Sequence, residues 1–294
     1  MDQLFETELD TVFQPKKLRD AARLIRSYGS RCRIIAGGTD LMVDFKGRGL
    51  PCKYLVSMDR IRDKLLNSIT LRGRRLTIGS LVTMRMIEKS PLILKKVPIL
   101  AEMAHSFGSF QIRNMATVGG NICRASPAAD SAPPLLALDA KVHILTRKGR
   151  KTIPLNRFFR GPGKSVLKHR DLALAVTIVL PKKYGGSFVK HFPRSPHDIA
   201  TVSVAAVIER DQLRESVKRA LVALGAVGPT PMLAAEAGKF LEGRRWTADV
   251  VEKAAELTTK ASKPITDVRA SREYRLRIVK LLASRALNAA WDMS

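Results

Sequence analysis

Between Pro15 and Gly29 the apolar residues recur near a helical period, with Leu18, Ala21, Ala22, Ile25 and Tyr28 on one face. That spacing predicts a helix, and Gly29 is a stop signal for it. Arg33-Ile34-Ile35 then reads as a short buried strand that enters Ala36-Gly37-Gly38-Thr39-Asp40. Leu41 to Phe45 reads as a short helical turn and Tyr54 to Met58 as another strand. The chain therefore opens as strand, glycine turn, helix, strand.

Leu76-Thr77-Ile78-Gly79 alternates as a strand does, and Thr83 is placed to cap a helix that runs to Lys89. A helical pattern follows around Ile99 to Phe107. A second glycine turn, Thr117-Val118-Gly119-Gly120-Asn121, precedes Ile122-Cys123. Asp130-Ser131-Ala132-Pro133-Pro134 opens a helix through Leu138, since proline is tolerated in a first turn. Val142 to Thr146, Lys151 to Pro154 and Ala173 to Leu180 read as strands. Lys182 to Gly186 is a linker. Beyond it come strands at Phe188 to Phe192, Thr201 to Glu209 and Ala220 to Gly225. Helices follow at Pro231 to Leu241, Ala248 to Lys260 and Arg272 to Trp291. Strands followed by helices point to a separate α+β module.

A length of 294 residues admits one to three domains, and a hydrophobic fraction of 45% excludes a disordered or collagen-like chain. The longest apolar runs, Leu172 to Val176 among them, are far short of the ~20 residues of a membrane span. The N-terminus is acidic and lacks the basic flank and apolar core of a secretory signal, so a cytoplasmic chain without a membrane span is expected. Charge changes the picture more. Lys and Arg number 52 against 26 Asp and Glu, a net +26. Such an excess raises nucleic acid first. Yet aromatic residues are only 5%, so no basic stripe interleaved with stacking rings is present, and no helix-turn-helix or finger signature stands out. No nucleic-acid partner is expected. The charge is expected to face acidic partner subunits or an anionic acceptor, above all in the dense groups Arg60 to Arg75 and Arg147 to Lys151. Cys32, Cys52 and Cys123 are odd in number and form no C-x-x-C pair. They support neither a disulfide framework, a zinc site nor an iron–sulfur cluster on this chain. The five histidines lack metal-ligand spacing, so no metal site is expected.

The two glycine turns carry the candidate chemistry. Glycine lets a backbone come close to a ligand, and successive N–H groups in such a turn form a nest for anionic oxygens. Each turn lies near an apolar strand and carries a Thr, which suits a diphosphate gripped from two sides. Either turn alone also reads as a plain tight turn. Neither segment is G-x-G-x-x-G or G-x-x-x-x-G-K-[ST], so neither a Rossmann nor a P-loop site is indicated.

Ile34-Ile35-Ala36-Gly37-Gly38-Thr39-Asp40-Leu41 resembles the first flavin motif of the FAD-binding medium subunits of molybdenum hydroxylases, the xanthine dehydrogenase and carbon monoxide dehydrogenase group. Gln111 to Ile122 resembles their second motif, continued by Ala125 to Asp130. The likeness extends through Lys190 to Ala200, Ala223-Leu224-Gly225 with Pro229-Thr230-Pro231, and Val268 to Ser271 with Tyr274-Arg275. It covers nearly the whole chain in order. Met115-Ala116 departs from the family, which usually has a charged or small pair ending in glycine there. The short linkers Arg124 to Pro127 and Gly149 to Arg157 hold no cysteine cluster, unlike the 4-hydroxybenzoyl-CoA reductase relatives.

The resemblance implies an α+β fold: a two-lobed FAD-binding domain of the PCMH or vanillyl-alcohol-oxidase type, then a small α+β C-terminal domain like that of the CO dehydrogenase flavoprotein. The expected boundaries are 1–181, with lobes of about 1–58 and 59–181, and 187–294. FAD would lie between the lobes. By family position, Ile34, Ile35, Ala36, Gly37, Gly38, Thr39, Asp40 and Leu41 would wrap its diphosphate and ribose through backbone N–H groups. Thr117, Val118, Gly119, Gly120 and Asn121 would do so from the other side. Phe107 would pack near the flavin, or else be a core aromatic at a helix end. Asp130 would accept a ribose or ribityl hydroxyl, and is also placed to cap the Pro133 helix. Lys190 matches a flavin-contacting lysine whose charge would stabilise a reduced, anionic flavin; otherwise it is a solvated strand lysine. Ala175 aligns with a backbone contact. Arg113 and Asn114 are expected to hold the loop or the partner interface, and the Arg269 and Tyr274 region is read as structural.

The family further implies an oxidoreductase subunit with no catalytic side chain of its own, because the flavin carries the redox chemistry. The implied partners are an iron–sulfur small subunit with two [2Fe-2S] clusters and a molybdopterin large subunit, in a dimer of heterotrimers. The electron acceptor would be NAD or another carrier. A stand-alone flavin oxidoreductase resembling the UDP-N-acetylenolpyruvoylglucosamine reductases is the alternative. Those usually read Gly-Gly-Ser-Asn where this chain has Gly37-Gly38-Thr39-Asp40.

Overall fold

In the computed structural model, residues 9–49, 52–195, 197–211 and 213–294 are described. The chain opens with β1 (Thr11–Phe13), α1 (Leu18–Tyr28), β2 (Cys32–Ile35), α2 (Leu41–Arg48) and β3 (Tyr54–Ser57). The strands form a parallel sheet in the order β1-β3-β2. Parallel strands need crossovers, which α1 and α2 supply. The predicted apolar face of α1 buries Ala21, Ala22 and Ile25.

The second lobe begins with α3 (Lys64–Asn67), β4 (Ile69–Arg72) and β5 (Arg75–Gly79). Helices α4 (Met84–Lys89), α5 (Pro91–Lys96), α6 (Pro98–His105), α7 (Phe110–Met115), α8 (Val118–Arg124) and α9 (Ala132–Ala137) follow. Strands β6 (Lys141–Thr146) and β7 (Gly149–Pro154) form a hairpin, β8 (Phe159–Gly161) and β9 (Lys164–Ser165) a small second one, and β10 (Leu172–Val179) closes the lobe. The sheet is antiparallel in the order β4-β5-β10-β6-β7. Thr83 caps α4 as expected, its Oγ1 accepting the Met86 N–H at 3.2 Å.

The C-terminal unit holds β11 (Gly185–His191), β12 (Val202–Asp211), β13 (Ser216–Gly225) and β14 (Met232–Leu233), then α10 (Ala235–Leu241), α11 (Ala248–Ala261) and α12 (Arg272–Asp292). Its antiparallel sheet runs β11-β12-β13-β14. Strand β12 shows why it is so apolar. Val202, Val204, Ala206 and Ile208 join the core under α11 and α12, while Ala205 and Val207 join the core of the second lobe. Both faces are covered, so alternation gives way to a continuous apolar run. Arg275, in the family-like segment read as structural, is buried. It donates to the carbonyls of Thr201 and Ala226 at 2.9 and 2.8 Å and to Asp267 at 2.7 Å.

The lobes meet along a third core in which Ile25, Val56 and Met58 of the first lobe pack with Ile61, Leu66, Leu172 and Leu174. Burying side chains of this size is worth about 1.5–3 kcal/mol each, which fixes the lobes against each other. The α+β architecture agrees with the expected fold class.

Some local expectations change. Thr117 to Asn121 is not a turn but the start of α8. The helix expected from Pro231 starts at Ala235, because Met232 and Leu233 pair with Leu224 and Ala223 of β13. Ser131, not Asp130, precedes α9. Strand β1, the β8–β9 hairpin and helices α5 and α7 were not anticipated. None is longer than six residues, too short for a clear period.

Candidate functional site

A cavity of about 530 Å³ opens where the lobes meet. That volume lies in the range of sites for small molecules and cofactors, roughly 300–1,000 Å³. The first lobe contributes residues 33–41, Asp44 and Met58. The second contributes Ser80, Leu81, Phe107, the 116–124 region and the approach to β10. All eight residues from Ile34 to Leu41 line the wall, as do Phe107, Thr117, Gly119, Gly120 and Asn121.

The two glycine segments differ. In the first, β2 ends at Ile35, whose carbonyl accepts the Met58 N–H at 2.9 Å. A methyl group at Gly37 would overlap the carbonyl oxygen of Met115, so only glycine lets this turn pass α7. Gly38 then takes φ = 72°, and its carbonyl starts α2 by accepting the Met42 N–H at 2.9 Å. Among the described residues nothing accepts from the backbone N–H groups of Gly37, Gly38, Thr39 or Asp40. Four consecutive residues with free N–H donors border one cavity, an arrangement suited to an anion nest.

In the second segment the N–H groups from Val118 to Asn121 are all engaged. Val118 N–H donates to the Val82 carbonyl at 3.0 Å and Gly119 N–H to Ser80 at 2.9 Å. Gly120 N–H reaches Thr117 Oγ1 at 3.0 Å, and Asn121 N–H the Thr117 carbonyl at 2.9 Å. A methyl at Gly119 would lie 2.5 Å from Ser80 Cβ, so this glycine permits packing of α8 on the β5 turn. Asn121 Oδ1 accepts the Ser131 hydroxyl at 2.5 Å, which leaves only its Nδ2 without a partner among the described residues. The expected second N–H cradle is thus a capped helix end whose N–H groups from Val118 to Asn121 are taken within the protein.

Behind Phe107 lies a clamp. Arg113 of α7 is buried and donates to the Phe107 and Gly108 carbonyls at 3.3 and 2.9 Å. His197 Nδ1 also reaches the Gly108 oxygen at 2.7 Å. Arg113 is held by Glu88 at 3.2 Å, which also meets Arg85 at 2.9 Å and His105 at 3.0 Å. Burial alone would lift the Glu88 carboxyl. Hydrogen bonds from Arg85 and His105, with the Arg113 charge, outweigh it and hold the group below the usual carboxylate range. Arg113 therefore holds the loop, as expected of it, while Asn114 is exposed.

Four predicted residues stand outside the cavity wall. Val118 is buried in the core. Ala175 sits inside the sheet, paired with Gly79 on one side and His143 on the other; Leu172 and Ala173 reach the wall instead. Asp130 and Lys190 form a buried ion pair at 2.7 Å, and Lys190 also donates to the Ser106 carbonyl at 3.1 Å, next to Phe107. Lys190 is therefore not a solvated strand lysine. Burial lifts the Asp130 carboxyl above the ordinary range, with the Lys190 charge pulling against it. Asp130 Oδ1 is buried and has no hydrogen-bond partner among the described residues. Such an orphan costs about 1–3 kcal/mol, and the atom does not border the cavity.

Other wall residues had no motif to announce them. Arg124 of α8 grips Asp44 of α2 through two bonds, at 2.6 and 3.1 Å, and so ties the lobes together at the cavity. Cys123 lines the wall as an inert thiol, since burial pushes it up to about 12. Gly163, Leu167 and Asp171 close the far side.

Residues 5–182 match the family described as the FAD binding domain in molybdopterin dehydrogenase, and residues 187–290 the CO dehydrogenase flavoprotein C-terminal domain. The chain is 31% identical over 276 residues to the xanthine dehydrogenase FAD-binding subunit of Escherichia coli O157:H7, covering 93% of each. It is similar in structure to carbon monoxide dehydrogenase from Hydrogenophaga pseudoflava, with a TM-score of 0.92 and 28% identity over 97% of this chain and 98% of that one. Quinoline 2-oxidoreductase from Pseudomonas putida 86 gives a TM-score of 0.90 at 25% identity, covering 98% and 99%. The cavity between two lobes, its glycine nest and matches that span nearly the whole chain place this protein in the family of FAD-binding subunits of molybdenum hydroxylases, an oxidoreductase family of the xanthine dehydrogenase and carbon monoxide dehydrogenase type.

Proposed function

We propose that the chain binds FAD in the cavity between its lobes and relays electrons from [2Fe-2S] clusters of a partner subunit to NAD or another acceptor. A molybdopterin subunit of the same complex would oxidise the substrate. The observation that carries this reading is the set of four free N–H groups from Gly37 to Asp40 in the wall of a cofactor-sized cavity.

FAD, when bound, supplies redox chemistry that exchanges electrons singly or in pairs. The protein's own residues do the rest. The Gly37–Asp40 donors neutralise diphosphate oxygens without a basic side chain. The Arg124–Asp44 pair keeps both lobes closed on the ligand. Phe107, fixed by Arg113, offers an apolar face to the flavin end. The buried Asp130–Lys190 pair sets a positive charge beside the carbonyl that precedes Phe107.

Exposed apolar residues lie beside the cavity on α2 (Met42, Val43) and α7 (Phe110, Ile112, Met115). Gly37 and Gly38 join the two helices, since they abut Met115 and Met42 respectively. A patch of this kind suits a permanent partner subunit, here the one with the iron–sulfur clusters.

The test is to purify the chain with and without its partners. A bound flavin chromophore that substrate bleaches only when the iron–sulfur and molybdopterin subunits are present supports the reading. Substrate oxidation by the flavin-loaded chain alone would mark it as a stand-alone flavin oxidoreductase. Failure to bind FAD would remove the reading altogether.

A further inference from the structure

A second groove, of about 1150 Å³, runs along the β6–β7 hairpin and the segments that follow it. Arg147, Lys148, Arg150 and Lys151 of the hairpin line it together with Arg157 and Arg160. All six are exposed, and among the described residues none has a carboxylate within ion-pair distance. Some other cations of the molecule are tied down, as Arg219 is by Asp139, Arg275 by Asp267 and Lys280 by Glu252. The one acidic residue in the groove, Asp171, is engaged by the Lys168 N–H at 3.0 Å. Asp171 also borders the cavity between the lobes, so groove and cavity share a wall.

With Lys168 and Arg170, which also line it, these like charges repel each other and attract carboxylates or phosphates. The uncharged lining decides between these. Ile153 and Val166 are half-buried apolar side chains in the groove, and no Phe, Tyr or Trp lines it. Bases would find only the His169 imidazole to stack on, whereas a protein surface finds both its charge and its apolar contacts answered. A site made of mobile cations rather than a broad apolar face suits an association that forms fast and reverses. We propose that this groove reversibly docks the carboxylate-rich face of a separate acidic protein, beside the wall it shares with the cavity. The docking needs no ligand in the cavity.

The test is binding of a fluorescent peptide of alternating Glu and Leu to the full chain at moderate salt. Reversing three hairpin charges (Lys148→Glu, Arg150→Glu, Lys151→Glu) is expected to weaken it at least about tenfold. Reversing Arg157 and Arg160 instead should weaken it as well, which guards against a misfolded hairpin. Reversing Lys95, Lys96 and Lys182, which line a different cleft, should change it less than about twofold. Equal losses from the groove and the control cleft would overturn the proposal. So would a single-stranded DNA of equal charge that binds more tightly through the same residues, or a wild-type chain that ignores the peptide.

Discussion

Two segments of this chain carry Gly-Gly beside a threonine, and they do different work. At Gly37-Gly38 the glycines let the turn pass the Met115 carbonyl and leave four N–H groups open to the cavity. At Gly119-Gly120 they let a helix end pack on Ser80, and its first N–H groups are all engaged within the protein. The first is a donor array. The second is a wall that holds its shape. A glycine pair announces close approach, and what approaches, ligand or protein, is decided by where the donors go.

The largest effect is expected at Gly37. Gly37→Ala forces the turn off Met115 and should reduce FAD affinity at least about 100-fold, roughly 2.7 kcal/mol, in a flavin-fluorescence titration. Gly119→Ala should act on the fold instead. Overpacking against Ser80 costs about 1–3 kcal/mol, seen as a lower melting temperature, and the folded fraction should bind FAD within about threefold of wild type. If both variants lose flavin alike, the comparison is broken. Thr117→Ala removes the acceptor for Gly120 N–H and should cost about 1 kcal/mol of stability, with little change in flavin affinity.

The smallest effect is a pH dependence. The folded Glu88 carboxyl sits below its unfolded value, so its stabilisation is present above the ordinary carboxylate pKa and is lost as pH falls through the folded one. Glu88→Gln should therefore melt below wild type near neutrality, and the gap should narrow as the solution is acidified. A gap that is independent of pH would show that the clamp on Phe107 owes nothing to the Glu88 charge.

Much of this fold was legible in the chain. The period of Leu18, Ala21, Ala22 and Ile25 located α1 and its buried face, and Thr83 announced the start of α4. The apolar run at Leu172 to Val176 marked the strand where the lobes meet. The parts that stayed hidden are long-range. Arg113 is held by Glu88, 25 positions away, and Asp44 and Arg124 are 80 apart; no local pattern pairs them. Ala175 and Ala173 differ by two positions, but a register shift of β10 between them brings only Ala173 to the cavity. The second glycine segment misled because composition cannot show whether an N–H is already taken.

Amide NMR of the isotope-labelled chain, titrated with FAD, tests the central claim most directly. The largest downfield amide shifts are predicted at Gly37, Gly38, Thr39 and Asp40, as their free N–H groups meet phosphate oxygens, with small shifts at Val118, Gly119 and Gly120. Equal or larger shifts at the second group would contradict the account.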